Sequence, residues 1–465
     1  MAEIRNLAFS LSKLGITALE RWFKPTVRSH GVENIPEGVL VLAVNHFTRL
    51  ETLILPFEFY RLTGKTVMSL AYHGLFTGPL GTYLDSVGAV STKDPNRDKI
   101  IIRSLLMGDH PWLIFPEGSM IKDKKIIESG KFLIYSTTGG RRPPHTGAAA
   151  LALRTEFYRR RLSHLRQTDP ALLQQQLEIF DLSSPEQVTD RELFLVPVNI
   201  TYYPLRSRQN AIEKIASYLL KDLPDRVVEE LQTEGTMLLS GVDMDITFGK
   251  PLAIRPLLDR RKIQQDMVSP RPILPDEELP SRPLMRRIAG RLTRQAMTSI
   301  YLNTTVNYDH LIAYILKYYP GHRLNLFDLA ERLYLATETV TKLKNIRFHS
   351  GLFHDQCVRL CRRYHQILAD FLDVAEKSGV IHMEGNTIHK KMLRMKPLFD
   401  FHTIRRDNPY QVILNEVEFL HPLTRKLRVV AEQPQWLLRW RLRRKFLRIA
   451  KQEFADDYKA YYRQD

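Results

Sequence analysis

The stretch Val41–Pro56, VLAVNHFTRLETLILP, decides how this chain is read. Its first four residues complete an apolar run begun at Val39, with the length and composition of a buried strand. The run stops at Asn45 and His46, and an acid follows at Glu51. Thr48-Arg49-Leu50-Glu51 fits the Ser/Thr-x-x-Glu pattern that opens a helix, which gives Glu51 a purely structural reason to be there. On one continuous helix, residues five apart lie about 140° from each other, so no shared face joins the pair. With His46 at a strand end and Glu51 in the first helical turn, the loop between them can instead fold the carboxylate back onto the imidazole. A carboxylate on one ring nitrogen fixes the tautomer and leaves the other nitrogen basic, which suits removal of a proton from a hydroxyl.

Outward from this stretch, short apolar runs alternate with helical patterns. VLVLAV, TVMSLA, VGAVST, WLIFP, FLVPVNIT and DITFG read as strands, and the segments near 50–62, 96–107 and 147–158 read as helices between them. Such alternation predicts an α/β domain with a largely parallel or mixed sheet flanked by helices, with functional residues where strands end and helices begin. The Gln- and Leu-rich stretch from about 159 to 192 reads as a helical insertion. SPRPILPDEELPSRP, residues 269–283, is rich in proline and predicts a linker. The domain expected over 31–268 therefore ends there, and 284–465 reads as a mostly helical C-terminal domain. In it, DHLIAYILKYYPGHRLNLFDLAERL is a helix, a Pro-Gly turn and a second helix, and GVIHMEGNTIHKK is a hairpin about Gly385-Asn386. At the start, Leu7, Leu11, Leu14, Ala18 and Trp22 form one stripe of an amphipathic helix within residues 1–30, suited to packing on the domain or to lying in a lipid interface.

The chain has 465 residues, 44% of them hydrophobic, so it can bury a large core. A formal net charge of +17 points to an anionic partner, with nucleic acid, an anionic lipid surface and phosphorylated substrates all allowed. Two cysteines and no cleavable secretory signal suggest a reducing, cytoplasmic setting. No uncharged apolar run is long enough to predict a spanning helix. His354, Cys357, Cys361 and His365 are zinc-type ligands. On one helix they would spread over about 16 Å, too far to meet at one ion, so no metal is expected. The C-terminal WLLRWRLRRKFLRIAK interleaves aromatic residues with cations, which fits either an anionic membrane surface or a solvated basic helix.

Three further segments recur in a telling order: SVGAVSTKDPNRDK with Lys93 and Arg97 after a strand, PWLIFPEGSMIKDKK with Glu117 and Gly118 at a strand end, and LFLVPVNITYYP with Pro197 inside a strand. Together with NHFTRLE, the blocks GAVSTK, FPEGSMI and LVPVNI resemble the four motifs of the glycerolipid acyltransferases, over roughly residues 30–255. TFGKPL resembles the strand that closes that domain. The resemblance implies transfer of a fatty acyl group from acyl-CoA or acyl carrier protein, as co-substrate with no cofactor, to a hydroxyl of glycerol 3-phosphate or a lysophospholipid such as lysophosphatidate. His46 would be the general base and Glu51 its orienting acid, with Asn45, Lys93, Arg97, Glu117, Gly118, Ser119 and Lys122 at the substrates. It also implies a peripheral enzyme at the cytoplasmic face of a phospholipid membrane. Two departures stand out: Glu51 where the family has aspartate, and Met120 where it has a phosphate-binding arginine. A different class also fits the residues: the helical C-terminal domain with its hairpin could be a winged helix on nucleic acid. A weakly active, lipid-binding relative of the acyltransferases is a third reading.

Overall fold

The computed structural model describes residues 26–47, 50–76, 82, 84–118, 127–128, 131–135, 141–204, 242–353, 364–377, 379–390, 409–438 and 440–442. The stripe from Leu7 to Trp22, Ser119, Met120 and Lys122, both cysteines and the tail beyond 442 lie outside these residues. The chain divides into two compact units: Met1–Ile121 with Pro143–Thr201 and Gln209–Asn303, and Lys122–Arg142 with Tyr202–Arg208 and Thr304–Asp465.

Unit 1 is organised by an eight-stranded mixed sheet. Its strands are β1 (Val27–His30), β2 (Val39–Val44), β3 (Met68–Ala71), β4 (Ala89–Ser91), β5 (Trp112–Ile114), β6 (Leu193–Tyr203), β7 (Asp243–Phe248) and β8 (Leu252–Ala253). They run in the order β1-β7-β6-β2-β5-β3-β4, with β8 paired to β6. β2 lies parallel to both β6 and β5, β3 is parallel to β5 and β4, and β1 is parallel to β7, whereas β8 is antiparallel. Its longer helices are α1 (Leu50–Thr63), α2 (Arg97–Met107), α3 (Gly147–Thr168), α4 (Pro170–Ile179) and α5 (Arg282–Leu302).

The predicted alternation is therefore present, and its physical reason is visible in β2. All six β2 residues are buried, because a central parallel strand is covered on both faces and so needs an unbroken apolar run. Truncating one of them, such as Leu42, costs about 2–5 kcal/mol by cavity formation. Pro197 sits in the equally central β6; its carbonyl accepts from the Gly249 amide at 2.8 Å, just past the end of β7. β7 ends at Phe248 and pairing resumes with β8 at Leu195, so Pro197 falls at the break between them, where a central strand tolerates a missing amide.

The proline-rich stretch is a strap bonded into unit 1. Its backbone forms little regular structure, so its carbonyls need donors from elsewhere. The fully buried guanidinium of Arg161 supplies them, donating to the carbonyls of Met267 at 2.7 Å, Ser269 at 3.0 Å and Arg271. Gln176 exchanges both its amide groups with the backbone of Ile273, and Tyr158 donates to the Leu274 carbonyl at 2.9 Å. The segment expected as a helical insertion contains the end of α3 and all of α4, which carry Arg161 and Gln176.

Unit 2 is mostly helical, as expected: α6 (Tyr308–Tyr318), α7 (Leu326–Val340), α8 (Tyr364–Lys377), α9 (Pro409–Val417) and α10 (His421–Glu432). β9 (Arg323–Asn325), β10 (Ile381–Glu384) and β11 (Thr387–Lys390) form a small sheet in the order β9-β11-β10. Gly385, with φ +56°, supplies the left-handed turn that Gly385-Asn386 predicts. The sequence helix, strand, helix, helix, hairpin is the connectivity of a winged helix. α6 starts on an Asn307 cap, and His310 closes it by accepting the Asn307 amide on Nδ1 while Nε2 bonds buried Glu416 at 2.7 Å. Among the described residues, no helix is long and apolar enough to cross a membrane.

Candidate active site

β2 and β5 are neighbours in register, with Ala43 beside Ile114, so their carboxyl ends deliver Asn45-His46 and Phe115–Gly118 side by side. Each of these residues then has a distinct task. The Asn45 side chain is spent on the backbone: it accepts from the Ile200 amide at 2.7 Å and donates to the Ile200 carbonyl at 2.9 Å. The β2–β6 pairing ends at Val44, and this amide continues it by one further rung. That explains why a residue carrying both a donor and an acceptor follows the apolar run.

His46 stacks on Phe115 with ring centroids 4.1 Å apart and planes inclined by 21°. Its Nδ1 bonds Glu51 Oε2 at 2.8 Å. The same carboxylate accepts from the Phe47 amide at 3.0 and 3.2 Å, so Glu51 closes the loop into α1 and orients the imidazole together. The extra methylene of glutamate is thus accommodated. The Glu51 side chain is fully buried, whereas that of His46 keeps 14% of its surface exposed. Nε2 makes no hydrogen bond among the described residues. A ring clamped at its face and at Nδ1, with Nε2 left open, is geometrically ready to exchange a proton there.

Phe115–Gly118 is a four-residue turn with proline second and glycine fourth. The Gly118 amide donates to the Phe115 carbonyl at 3.0 Å, and φ of +65° makes glycine the residue that fits. That amide is therefore engaged in the turn. Glu117 points inward and is fully buried. Its Oε2 accepts from the His46 backbone amide at 2.6 Å, and its Oε1 accepts from the Tyr301 hydroxyl at 2.9 Å. Burial pushes its carboxyl up to about 8 despite these two bonds, and the nearby charge of Glu51 adds to the rise.

Lys93 and Arg97 follow β4, two strands farther along the sheet from β5. Lys93 is exposed. The Arg97 guanidinium is engaged locally, with Nε and Nη2 on Asp98 at 2.9 and 2.7 Å and Nη1 on the Thr92 carbonyl at 3.0 Å. Asp98 also takes Arg154 at 2.7 Å. Burial would raise the Asp98 carboxyl, but Arg97 and Arg154 outweigh it and hold the carboxyl below its usual range. The structure thus assembles Asn45, His46, Glu51, Glu117 and Gly118 at one strand edge, leaves Lys93 and Arg97 apart from that cluster, and does not describe Ser119 or Lys122. Sequence reasoning missed Tyr301, because its partner is 184 positions away and helix α5 lies beyond the proline-rich stretch. Among the described residues, no cluster of His, Cys, Asp or Glu could hold a metal ion.

Residues 26–161 match the family model described as Acyltransferase. Three of the four sequence blocks fall inside that span, and the fourth lies in β6, directly beside β2. None of the curated proteins matches the chain. Among solved structures, the 1-acyl-sn-glycerophosphate (LPA) acyltransferase PlsC from Thermotoga maritima is similar, with 14% identity and a TM-score of 0.29, over 62% of this chain and 80% of that one.

Proposed function

We propose, from the match of residues 26–161 to the Acyltransferase family model, that the protein moves a fatty acyl group from a thioester donor to a glycerolipid hydroxyl, with His46 as general base. The observation that carries this reading is the open Nε2 of an imidazole whose Nδ1 is held by buried Glu51 at 2.8 Å. The acceptor O–H gives its proton to Nε2 as its oxygen attacks the thioester carbonyl. The carbon–sulfur bond then breaks, and the imidazolium returns the proton to the departing thiolate. Glu51 stabilises the imidazolium and keeps the ring in the tautomer that leaves Nε2 basic. A positioned base of this kind contributes about 10²–10⁴ in rate. Glycerol 3-phosphate or a lysophospholipid is the acceptor class, and acyl-CoA or acyl carrier protein the donor, on the strength of the motif resemblance. The test is a panel of those donors and acceptors with purified protein, read by lipid mass analysis. A new ester product that vanishes in His46→Ala supports the reading, and no acyl transfer to any member of the panel overturns it.

The membrane surface belongs to the same proposal. In unit 1, Arg286, Arg287, Arg291 and Arg294 of α5 are exposed, and the helix contains no acid to neutralise them. In unit 2, Leu438 and Leu442 are buried whereas Trp436 and Trp440, on the other side of the same helical turns, are 71% and 50% exposed. Within unit 2, exposed tryptophans followed by exposed Arg441 suit the headgroup region of an anionic bilayer. Co-sedimentation with phosphatidylglycerol vesicles should weaken in the double variant Trp436→Ser, Trp440→Ser; equal binding removes these residues from the membrane contact.

The winged-helix connectivity of unit 2 favours nucleic acid as a second reading. Its third helix, α8, counts against it, because Asp370, Asp373 and Glu376 lie within its described length against the single Lys377 and would repel phosphates. Salt-sensitive duplex binding without acyl transfer would restore that reading.

A further inference from the structure

Helix α5 lies outside residues 26–161, yet its last turn reaches the centre of the site. We propose that Tyr301 is a positioning residue for acyl transfer: its hydroxyl fixes the Glu117 carboxyl, and through it the backbone amide that aims His46. The inference rests on the reading of His46 as the base. Three elements meet in this relay through two hydrogen bonds: the end of β2 gives the His46 amide, the turn after β5 gives Glu117, which accepts both, and α5 gives Tyr301.

The relay is buried throughout. Glu117 is fully enclosed and Tyr301 is 4% exposed, so water does not readily replace either partner. Tyrosine is the right residue for the position, because its ring packs as an apolar body while its hydroxyl needs a partner inside the protein. Glu117 does not touch Nε2. It acts on the peptide that carries His46, so its effect is on where the ring stands and on the field the ring experiences. Among the described residues, the titratable groups that bear on it include Glu51 from α1, His46 from the end of β2, and Tyr301 from α5. A carboxyl held near neutral by burial changes charge within the working pH range, which gives the relay a measurable signature. When Glu117 changes charge, its bond to the peptide that carries His46 changes with it.

The test uses full-length wild type, Tyr301→Phe, Glu117→Gln and the double variant, after confirming that each unfolds cooperatively. Two readouts are needed. The first is kcat and KM against pH with a thioester donor and a lysophospholipid acceptor. The second is the pH dependence of His46 carbethoxylation by diethyl pyrocarbonate, mapped by peptide mass, which needs no turnover. Tyr301→Phe should lower kcat by about 10- to 100-fold with KM within about twofold, since small misplacements of a catalytic group act on kcat. The inflection that Glu117 imposes near pH 8 in both profiles should move to higher pH, because the Tyr301 bond favours the ionised form. Glu117→Gln should abolish that inflection, and the double variant should resemble Glu117→Gln alone, because residues in one relay are not additive.

Unchanged kcat and an unmoved carbethoxylation profile in Tyr301→Phe would overturn the proposal, as would rate losses that multiply in the double variant. Should Tyr301→Phe not fold, Glu117→Gln decides: a carbethoxylation profile like that of wild type refutes the relay. If wild type transfers no acyl group, the function is refuted on the first readout, and a shifted carbethoxylation profile still supports the Tyr301 relay on the second.

Discussion

Replacing Glu117 with glutamine should change how stability depends on pH, in a direction fixed by its burial. In the native protein its carboxyl titrates near 8, against 4.5 for the ordinary group, so between those values the folded chain holds a proton that the unfolded chain has released. The native state then binds more protons than the unfolded one, and stability falls as pH rises through this window. At about 1.4 kcal/mol per pH unit, the full span corresponds to about 5 kcal/mol, absent below pH 4.5 and complete above pH 8. Glutamine keeps an oxygen for the His46 amide and has no charge to bury. Urea unfolding of wild type and Glu117→Gln from pH 5 to 9, followed by tryptophan emission, isolates the effect, since all other groups are shared. Trp112, fully buried in β5 just before the Glu117 turn, reports on unit 1. The variant should gain on wild type by about 3 to 4 kcal/mol across that range. Stability curves that stay parallel would refute the burial argument for Glu117.

Other substitutions separate the tasks of neighbouring residues. Glu51→Gln retains an acceptor for the Phe47 amide but loses the charge facing His46, so kcat should drop by about 10²-fold or more with little change in thermal stability; unchanged kcat would reduce Glu51 to a loop closure. Asn45→Asp loses the donor to the Ile200 carbonyl and buries a charge near Glu51, which should cost about 2–4 kcal/mol in a thermal unfolding measurement. An unaltered midpoint would show that the β2–β6 junction does not depend on that amide. Arg97→Gln should leave acceptor KM within about threefold, because its guanidinium is engaged by Asp98 and the Thr92 carbonyl and such part-exposed pairs contribute about 0–1 kcal/mol. A rise of KM beyond about tenfold would assign Arg97 to the acceptor phosphate instead.

The features readable from sequence are those fixed by local pattern. The unbroken run of β2 announces a central strand, and the Asn45–Glu51 spacing announces a strand-to-helix loop whose two ends can meet. Glu51 illustrates the limit of that reading, since a helix-opening acid and an imidazole partner give the same sequence signal; the carboxylate holds the imidazole and the Phe47 amide, and Thr48 of the expected cap lies outside the described residues. Edge strand β1 was missed because VRSH has no apolar run, and its half-buried residues are tied down by distant partners such as Asp243 and Asp245. The proline-rich strap shows composition predicting irregular backbone but not where it docks, which depends on Arg161 more than a hundred positions away. Asn45 was expected at the substrates, and only the register of β6 against β2 reveals that its amide is used by Ile200. Tyr301 is the extreme case: a tyrosine at the end of an amphipathic helix carries no local mark of the carboxyl it will meet.

The central claim is that His46 Nε2 takes the acceptor proton, and single-turnover acyl transfer by His46→Ala tests it most directly. With donor and acceptor saturating, the rate constant for ester formation should fall at least about 10²-fold while the variant retains the wild-type unfolding midpoint. Ester formation at a rate near that of wild type would show that the proton leaves by another route, and the site built around this imidazole would have to be reassigned.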